Sequence, residues 1–284
     1  MECALYVVAT PIGNLRDITL RAIDILTSAD IIAAEDKRNT SHLLTHYGIN
    51  ANRLLALHQH NERGAAEKII YLLHQGQTVA LVTDAGTPAI SDPGAVLVEA
   101  VLGAGFRVIP IPGASAVVSA LSASGLTAPQ FLFYGFLPNK SAARRVVLES
   151  LSNYPYSLVF YEAPHRILES VADLQAAFGD ERQIVLAREL TKLFENVHRC
   201  ELGAAIAWLT EDPNNQRGEF VLMVEGAEIK EVGISFETEK ILNLLLEELP
   251  LKQAVQIAAK ITGKKRSMLY QRALELKNVT PNKE

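Results

Sequence analysis

The chain has 284 residues, of which 49% are hydrophobic and 21% charged, and its formal net charge is −5. This composition indicates a folded globular protein of one large or two moderate domains and excludes a disordered chain. No stretch approaches the roughly 18 consecutive apolar residues of a membrane-spanning helix, and the N-terminus lacks an export-signal pattern. Cys3 and Cys200 lie far apart, so we predict no disulfide framework and expect a cytoplasmic protein.

The charge is unevenly distributed along the chain. Residues 250–284 carry eight Lys or Arg against two Glu, a net charge of +6, which leaves −11 on the remaining 249 residues. A basic tail on an acidic body is typical of a protein that binds a polyanion. A solvated helix surface explains this feature equally well.

Short apolar runs rich in β-branched residues predict strands, and helical patterns separate most of them. The predicted strands are residues 4–9, 31–34, 79–83, 107–111, 131–135, 157–161, 183–187 and 219–224. This alternation predicts an α/β fold with a mainly parallel sheet covered by helices. We expect two α/β domains, residues 1–124 and 125–226, with a cleft between them and a helical tail over residues 227–284.

Polar and turn-forming residues cluster directly after six of the predicted strands. The clusters are residues 10–14, 35–38, 84–88, 112–115, 162–166 and 188–192. Open α/β sheets bind their ligands at the carboxyl ends of the strands. Six such clusters therefore predict a cleft that both domains line.

The most informative segment follows the strand at residues 79–83. Residues 84–94 read Asp-Ala-Gly-Thr-Pro-Ala-Ile-Ser-Asp-Pro-Gly, and this loop exceeds the length of about two to six residues that is usual for such connections. Small residues let a ligand approach the backbone, and Gly and Pro preset turns. The loop therefore favours a binding site over a simple connection.

Common nucleotide-binding and hydrolase motifs are missing from the sequence. There is no Gly-x-x-x-x-Gly-Lys-Ser/Thr phosphate loop, no Gly-x-Gly-x-x-Gly turn opening a helix, and no Gly-x-Ser-x-Gly nucleophile motif. The seven histidines show no metal-ligand spacing, so we expect no metal. A cleft of backbone-rich turns with a few charges suits a polar, partly apolar cofactor.

Seven segments together resemble a known enzyme family: residues 8–19, 34–38, 83–94, 110–115, 160–166, 187–192 and 218–221. They resemble the tetrapyrrole methylase superfamily of S-adenosylmethionine-dependent methyltransferases, and within it the ribosomal RNA small subunit methyltransferase I family. The resemblance covers Leu5 to about Gly226, and the tail fits as well. The porphyrin-modifying branch has a Gly-x-Gly-x-Gly-Asp-Pro loop after its first strand, of which only Gly13 has a counterpart here. This difference disfavours a corrin or porphyrin substrate.

The resemblance implies 2′-O-methylation of a cytidine ribose in the decoding region of 16S rRNA, within the small ribosomal subunit, by a homodimer. It implies S-adenosylmethionine as the cofactor, folded between the two α/β domains and held largely by backbone groups. The implied cofactor contacts are Pro11, Asp84, Ala85, Gly86, Thr87, Ile90, Ser115, Ala116, Tyr161 and Leu190. For Asp84, a helix N-cap or an Asx-turn is a second interpretation, because Asp is favoured in both.

A ribose hydroxyl is a poor nucleophile until its proton leaves, so this reaction needs a base. The candidates in the cleft are Glu35, Asp36, Glu162, Glu189 and Lys192. Preference goes to Glu189 or Lys192, and Lys192 can act as a base only with a pKa lowered by burial or neighbouring cations. The candidates to bind phosphate or carboxylate are Arg38, Arg166 and Arg188. Alternatively, these charges pair with one another and hold the domain interface together.

The tail predicts two helices, residues 253–261 and 267–276, around Gly263, with Ser267 as an N-cap. Their spacing matches a helix-turn-helix. Its basic residues Lys264, Lys265 and Arg266 are candidates to bind RNA phosphates. The alternative is a helical hairpin that packs in a dimer.

Two other functions stay open from the sequence. The same fold and cofactor would serve a tetrapyrrole or corrin methyltransferase, which a coloured product would support. A non-catalytic RNA-binding assembly factor would bind the cofactor tightly without methylating a ribosomal particle.

Overall fold

The computed structural model describes residues 1–50, 54–58, 61–228 and 236–279. The chain divides into two compact units, Met1–Ala227 and Glu228–Glu284. The first unit contains two five-stranded sheets with their helices, and the described part of the second unit contains three helices.

The first sheet is parallel throughout, as predicted. Its strands are β1 Leu5–Val8, β2 Ile31–Ala34, β3 Leu54–Ala56, β4 Val79–Val82 and β5 Val108–Ile111, in the order β3-β2-β4-β1-β5. Strands β2 and β4 are buried along their whole length, which explains their continuous apolar sequences. Strand β3 was not predicted because it is short, with three residues that are all half-buried.

Helices cover both faces of this sheet. They are α1 Leu20–Ser28, α2 Lys37–His46, α3 Glu62–His74 and α4 Ala95–Gly103. Leu26 and Leu44 pack on one face, whereas Ile69 and Leu97 pack on the other. The sheet is therefore a buried central layer, and its strand ends are the part left open to a ligand.

The second sheet is mixed, so the prediction of a mainly parallel arrangement is wrong here. Its strands are β6 Phe131–Phe136, β7 Ser157–Glu162, β8 Gln183–Arg188, β9 Asn196–Glu201 and β10 Phe220–Val224, in the order β6-β7-β10-β8-β9. Only β6 and β7 form a parallel pair. Because β10 is antiparallel to both β7 and β8, those two strands still end at the same edge. Strand β9 was missed because its side chains are polar and largely exposed.

A single helix joins the two sheets. Helices α6 Ser141–Leu151, α7 Ile167–Phe178 and α8 Leu202–Glu211 cover one face of the second sheet, and α5 is Ala116–Ala123. Val117 and Ala120 of α5 pack with Val159, Val185 and Met223 of the second sheet. Helix α5 directly follows the first sheet in sequence, so this packing brings the strand ends of both sheets together. The boundary expected at residue 124 stays a prediction.

The second unit has the helical character predicted for the tail. It contains α9 Phe236–Glu248, α10 Leu251–Thr262 and α11 Arg266–Val279, and residues 229–235 and 280–284 lie outside the described chain. Gly263 ends α10 with a φ of +67°. Helix α11 already begins at Arg266, so the predicted N-cap at Ser267 is wrong. Among the described residues, no helix is long and apolar enough to cross a membrane.

Candidate functional site

A cavity of about 420 Å³ lies where the two sheets meet, at the carboxyl ends of β4, β5, β7 and β8. Ligand cavities span about 300–1,000 Å³, so this one has room for a cofactor. The structure brings nine of the residues implied for the cofactor to its wall: Asp84, Ala85, Gly86, Thr87, Ile90, Ser115, Ala116, Tyr161 and Leu190. Pro11 does not line the cavity, although its neighbour Ile12 does.

The loop after β4 is joined to the loops after β1 and β5. Thr10 and Gly86 exchange two backbone hydrogen bonds of 2.9 and 3.1 Å. Gly86 has a φ of +84°, and a Cβ there would lie 3.4 Å from Ile12, so glycine suits this close approach. The Thr87 hydroxyl donates to the Ala114 carbonyl at 3.2 Å. These contacts hold three loops around the cavity.

The second half of the β4 loop is held in a strained conformation. Ala89 and Ser91 have positive φ angles of 67° and 63°, which cost non-glycine residues of order 1–3 kcal/mol each. Glu62 fixes the end of the loop, because its Oε1 accepts a hydrogen bond of 2.7 Å from the Gly94 nitrogen. At Gly135, an added Cβ would lie 2.7 Å from the Ser91 hydroxyl oxygen. Both sheets therefore constrain this loop.

Two carboxylates of the cavity have several hydrogen-bond donors. Glu35 Oε2 accepts from the Thr83 hydroxyl at 2.6 Å and from the Asp84 nitrogen at 3.4 Å. Asp84 accepts from the Asp36 nitrogen at 3.2 Å and from Asn39 Nδ2 at 2.8 Å. Asp84 therefore ties the loop to the start of α2, and the N-cap or Asx-turn interpretation is wrong. Asp36, by contrast, is the N-cap of α2.

Sequence reasoning missed Asp92, which lines the cavity. The pKa of Asp92 is raised to about 6, first by burial and then by the negative charge of Glu35. A hydrogen bond with Thr83 lowers this pKa, and the charge of Asp84 raises it further. Burial and then Asp92 itself raise the pKa of Tyr161 to about 12. The loop composition marked the segment, but it carries no signal for which carboxylate faces the cavity.

Glu162 lines the cavity, yet its carboxylate is engaged by protein groups. It accepts hydrogen bonds from the Ala163 nitrogen at 2.8 Å, from Arg166 Nη2 at 3.0 Å and from the Ser170 hydroxyl. Arg166 also donates to the Leu137 carbonyl at 2.9 Å. For Glu162 and Arg166, the geometry favours the interpretation as an internal ion pair.

Glu189 and Lys192, the preferred candidates for the base, form an ion-pair cluster beside the cavity. Lys192 Nζ lies 2.7 Å from Glu189 Oε1 and 2.7 Å from Glu219 Oε2. Burial opposes the charged ammonium, but hydrogen bonds to both carboxylates leave the pKa of Lys192 raised. Burial likewise opposes ionisation of Glu189, whose pKa is nevertheless lowered by hydrogen bonds from Lys192 and the Glu219 nitrogen. Lys192 therefore does not have the lowered pKa that it would need as a base. Of Glu189, Lys192 and Glu219, it is Glu219 that lines the cavity.

Two glycines make room for this ion-pair cluster. A Cβ at Gly13 would lie 2.5 Å from Lys192 Cγ, and one at Gly218, where φ is +89°, would overlap the Glu189 side chain. The loops after β1 and β8 therefore pack closely, and their packing fixes the charged groups beside the cavity.

The other two predicted arginines differ in exposure. Arg188 is buried, and its Nη1 donates to the Arg217 carbonyl at 3.2 Å. The Arg38 side chain is 89% exposed and lies 3.8 Å from Asp36. Arg38 is thus accessible to a large substrate, whereas Arg188 is not.

Apolar residues that were not predicted complete the wall, namely Phe136, Ala187, Phe220 and Val221. They come from β6, β8 and β10, whose arrangement around the antiparallel β10 the sequence did not indicate. Among the described residues, no group of three or more His, Cys, Asp or Glu side chains is arranged to hold a metal.

Basic residues border the turn between α10 and α11 in the second unit. Lys264, Lys265 and Arg266 follow Gly263, and the last two of these cations are exposed. Arg266 also lines a groove of about 590 Å³ between the helices, together with Lys252, Tyr270 and Leu274.

Comparison with known proteins first identifies the fold. A family model described as Tetrapyrrole (Corrin/Porphyrin) Methylases matches residues 4–206, and one described as RsmI C-terminal HTH domain matches residues 233–277. The solved methyltransferase CobJ is similar with a TM-score of 0.59 and 18% identity, over 79% of this chain and 94% of that chain. Uroporphyrin-III-C-methyltransferase from Thermus thermophilus is similar with a TM-score of 0.54 and 19% identity, over 78% of this chain and 93% of that chain.

Curated relatives are much closer in sequence. One from Escherichia coli O157:H7 is 51% identical over 271 residues, which are 95% of this chain and 94% of that protein. One from Pseudomonas aeruginosa PAO1 is 50% identical over 273 residues, which are 95% of this chain and 96% of that protein. Both are named Ribosomal RNA small subunit methyltransferase I. The chain therefore belongs to the tetrapyrrole methylase family and, within it, to the ribosomal RNA small subunit methyltransferase I family.

Proposed function

We propose that this chain transfers a methyl group from S-adenosylmethionine to the ribose 2′-hydroxyl of a cytidine in the decoding region of 16S rRNA. The observation that carries the proposal is the cavity, whose wall combines loops of both sheets. Relatives that are 51% and 50% identical over 95% of the chain, and named as small-subunit rRNA methyltransferases, support the substrate class. As part of this proposal, the protein acts in the cytoplasm, on the small ribosomal subunit.

The wall of the cavity suits S-adenosylmethionine. Glu35, Asp84 and Asp92 make it acidic, whereas the nearby cations Arg166 and Lys192 pair with other carboxylates. Carboxylates in a partly buried site stabilise a ligand that carries sulfonium and ammonium charges. Small residues of the same wall leave backbone groups accessible to the adenosine: Ala85, Gly86 and Ala116.

When bound, S-adenosylmethionine supplies a methyl group on a positively charged sulfur. The chain's own contribution begins with positioning, which supplies about 7–11 kcal/mol in favourable cases. The Thr10–Gly86 hydrogen bonds and the packing of Gly13 on Lys192 fix the loops that form the wall. The rings of Phe136 and Tyr161 add apolar surface to this wall.

The second unit supplies positive charge for RNA. Lys264, Lys265 and Arg266 lie at the turn of the helix-turn-helix, and the exposed Arg38 adds a cation in the first unit. Phosphate contacts by such residues make binding salt-dependent, with a slope of about 0.7 per contact for single strands. Replacing Arg266 by Ala is therefore expected to weaken 16S rRNA binding. The slope of the logarithm of the binding constant against the logarithm of the salt concentration should become shallower by about 0.7, the value of one phosphate contact. An unchanged slope would contradict this role of Arg266.

A homodimer is part of the proposal. Strand β6 is an edge strand, and its Phe131, Tyr134 and Phe136 are 48%, 40% and 53% exposed. An exposed aromatic edge is a surface that a second copy would protect from water. Sedimentation velocity of the purified chain tests this, and a monomer at micromolar concentration contradicts it.

The decisive experiment measures transfer of labelled methyl from S-adenosylmethionine to small ribosomal subunits that lack the modification. Mapped label is expected on a ribose 2′-oxygen of 16S rRNA. The variant Asp84→Arg, at the cavity wall, is expected to abolish transfer. The matched control is Asp24→Arg, which makes the same charge change on the exposed face of α1 and should stay active.

Other outcomes would favour the alternative functions. Cofactor binding without transfer to subunits or free rRNA would contradict the proposal and favour an assembly factor. Transfer to a corrin or porphyrin would favour tetrapyrrole methylation.

A further inference from the structure

Asp92 has fewer protein partners than the two carboxylates beside it. Glu35 accepts a hydrogen bond from the Thr83 hydroxyl at 2.6 Å, and Asp84 accepts one from Asn39 Nδ2 at 2.8 Å. The Thr83 hydroxyl has a single proton, so Glu35 and Asp92 compete for this one donor. The Asp92 carboxylate is therefore poorly compensated when it is ionised.

The remaining carboxylates of the cavity wall are paired with cations. Glu162 lies 2.8 Å from Arg166 Nη2, and Glu219 lies 2.7 Å from Lys192 Nζ. A substrate hydroxyl would have to compete with Arg166 or Lys192 for these two carboxylates. Neither group is as well suited as Asp92 to take a proton in this cavity.

The position of Asp92 is fixed by its loop. Ser91, next to it, has a φ of +63° and fits against Gly135 of the second sheet. Two residues further on, the Gly94 nitrogen is held by Glu62 at 2.7 Å. A carboxylate on so constrained a backbone is pre-organised at the wall, which is what a catalytic group requires.

We propose that Asp92 accepts the proton in the methyl transfer; this inference rests on the proposed function. The ribose O–H bond breaks and its proton goes to the Asp92 carboxylate. The freed electron pair of the oxygen forms the new bond to the methyl carbon. The electrons of the broken carbon–sulfur bond stay on the sulfur, which becomes a neutral thioether. Water then removes the proton from Asp92 before the next turnover.

The electrostatic surroundings of Asp92 agree with this role. Burial and the facing carboxylates of Glu35 and Asp84 raise its pKa to about 6, and the phenol of Tyr161, whose pKa is about 12, stays neutral. A proton acceptor works best when its pKa lies near the working pH. Asp92 is mostly ionised at neutral pH and still binds a proton more readily than an ordinary aspartate.

The test compares wild type, Asp92→Asn and Asp92→Glu in single-turnover methyl transfer to unmodified small subunits. The cofactor is saturating, and the pH is varied from about 5 to 8. We expect Asp92→Asn to lose at least ~100-fold in rate and to lose the rise in rate through about pH 6 that wild type shows. Because the cofactor is saturating, a weaker affinity of the variant for S-adenosylmethionine does not by itself lower this rate. Asp92→Glu should recover part of the rate, and the surface control Asp24→Asn should equal wild type.

A second readout does not depend on activity. In carbon-13 NMR of the free protein, one aspartate carboxyl should titrate near pH 6, and its signal should be missing from folded Asp92→Asn protein. An Asp92 that titrates in the ordinary aspartate range overturns the proposal. The proposal is also overturned if Asp92→Asn methylates subunits as fast as an active wild type under the same saturating cofactor. A wild type that methylates no subunit overturns the proposed function itself, and this inference with it.

Discussion

Replacing Asp92 by Asn is expected to stabilise the fold at neutral pH. Burial and the carboxylates of Glu35 and Asp84 raise the pKa of Asp92 from 3.8 to about 6. One pKa unit corresponds to about 1.4 kcal/mol, so the complete shift would cost the folded state about 3 kcal/mol. Asp92 is partly exposed, and because solvent screens its charge, the expected gain in unfolding free energy falls to about 1 kcal/mol.

This gain must depend on pH with a definite sign. Below about pH 4, Asp92 is protonated in both the folded and the unfolded chain, so wild type and variant should be equally stable. Between about pH 4 and 6, the unfolded chain releases the proton first, and wild type loses stability relative to Asp92→Asn. Above the raised pKa of about 6, both states are ionised and the difference should stay constant.

Urea denaturation of both proteins between about pH 2.5 and 8, followed by circular dichroism, measures this difference. Asp30→Asn is a control of opposite sign, because hydrogen bonds from the Thr78 backbone and side chain lower the pKa of Asp30. Its loss of stability should be complete above about pH 4 and should fade as the pH falls further. A gain for Asp92→Asn that is equal at all pH values, or a loss at pH 8, would refute the reasoning.

Three further substitutions test the glycine packing and the ion pairs of the first unit. Gly218→Ala should lower the unfolding free energy, measured by urea denaturation, by about 1–3 kcal/mol, because its positive φ and the nearby Glu189 side chain oppose a Cβ. The control Gly103→Ala, which has open space around it, should not lower the unfolding free energy. Arg144→Met should cost about 1.5–3 kcal/mol because the buried Asp173 loses its fully buried partner at 2.7 Å and keeps only Arg145 and Ser141. Arg145→Met should cost under about 1 kcal/mol because the Arg145 side chain is half exposed. Lys192→Arg should retain methyl transfer because Lys192 pairs as a cation, and a loss of ~100-fold would indicate a base.

Apolar patterning predicted most of the fold for a physical reason. A strand buried on both faces, such as β2 or β4, must be apolar at every position, and the polar loop that follows it is then conspicuous. Strands that depart from this condition were missed: the three-residue β3 and the polar edge strand β9.

The sequence by itself determined the α/β character of the chain, the segments that form the cavity and, through seven matched segments, the family. Strand direction in the second sheet was decided by tertiary pairing, because β10 is inserted between β7 and β8 by hydrogen bonds to distant residues. The roles of the charged residues were also decided there. Lys192 is held as a cation by Glu189 and Glu219, whereas burial and the charge of Glu35 raise the pKa of Asp92. Burial and charge separation depend on distances in space, so a pKa cannot be determined by the order of residues along the chain.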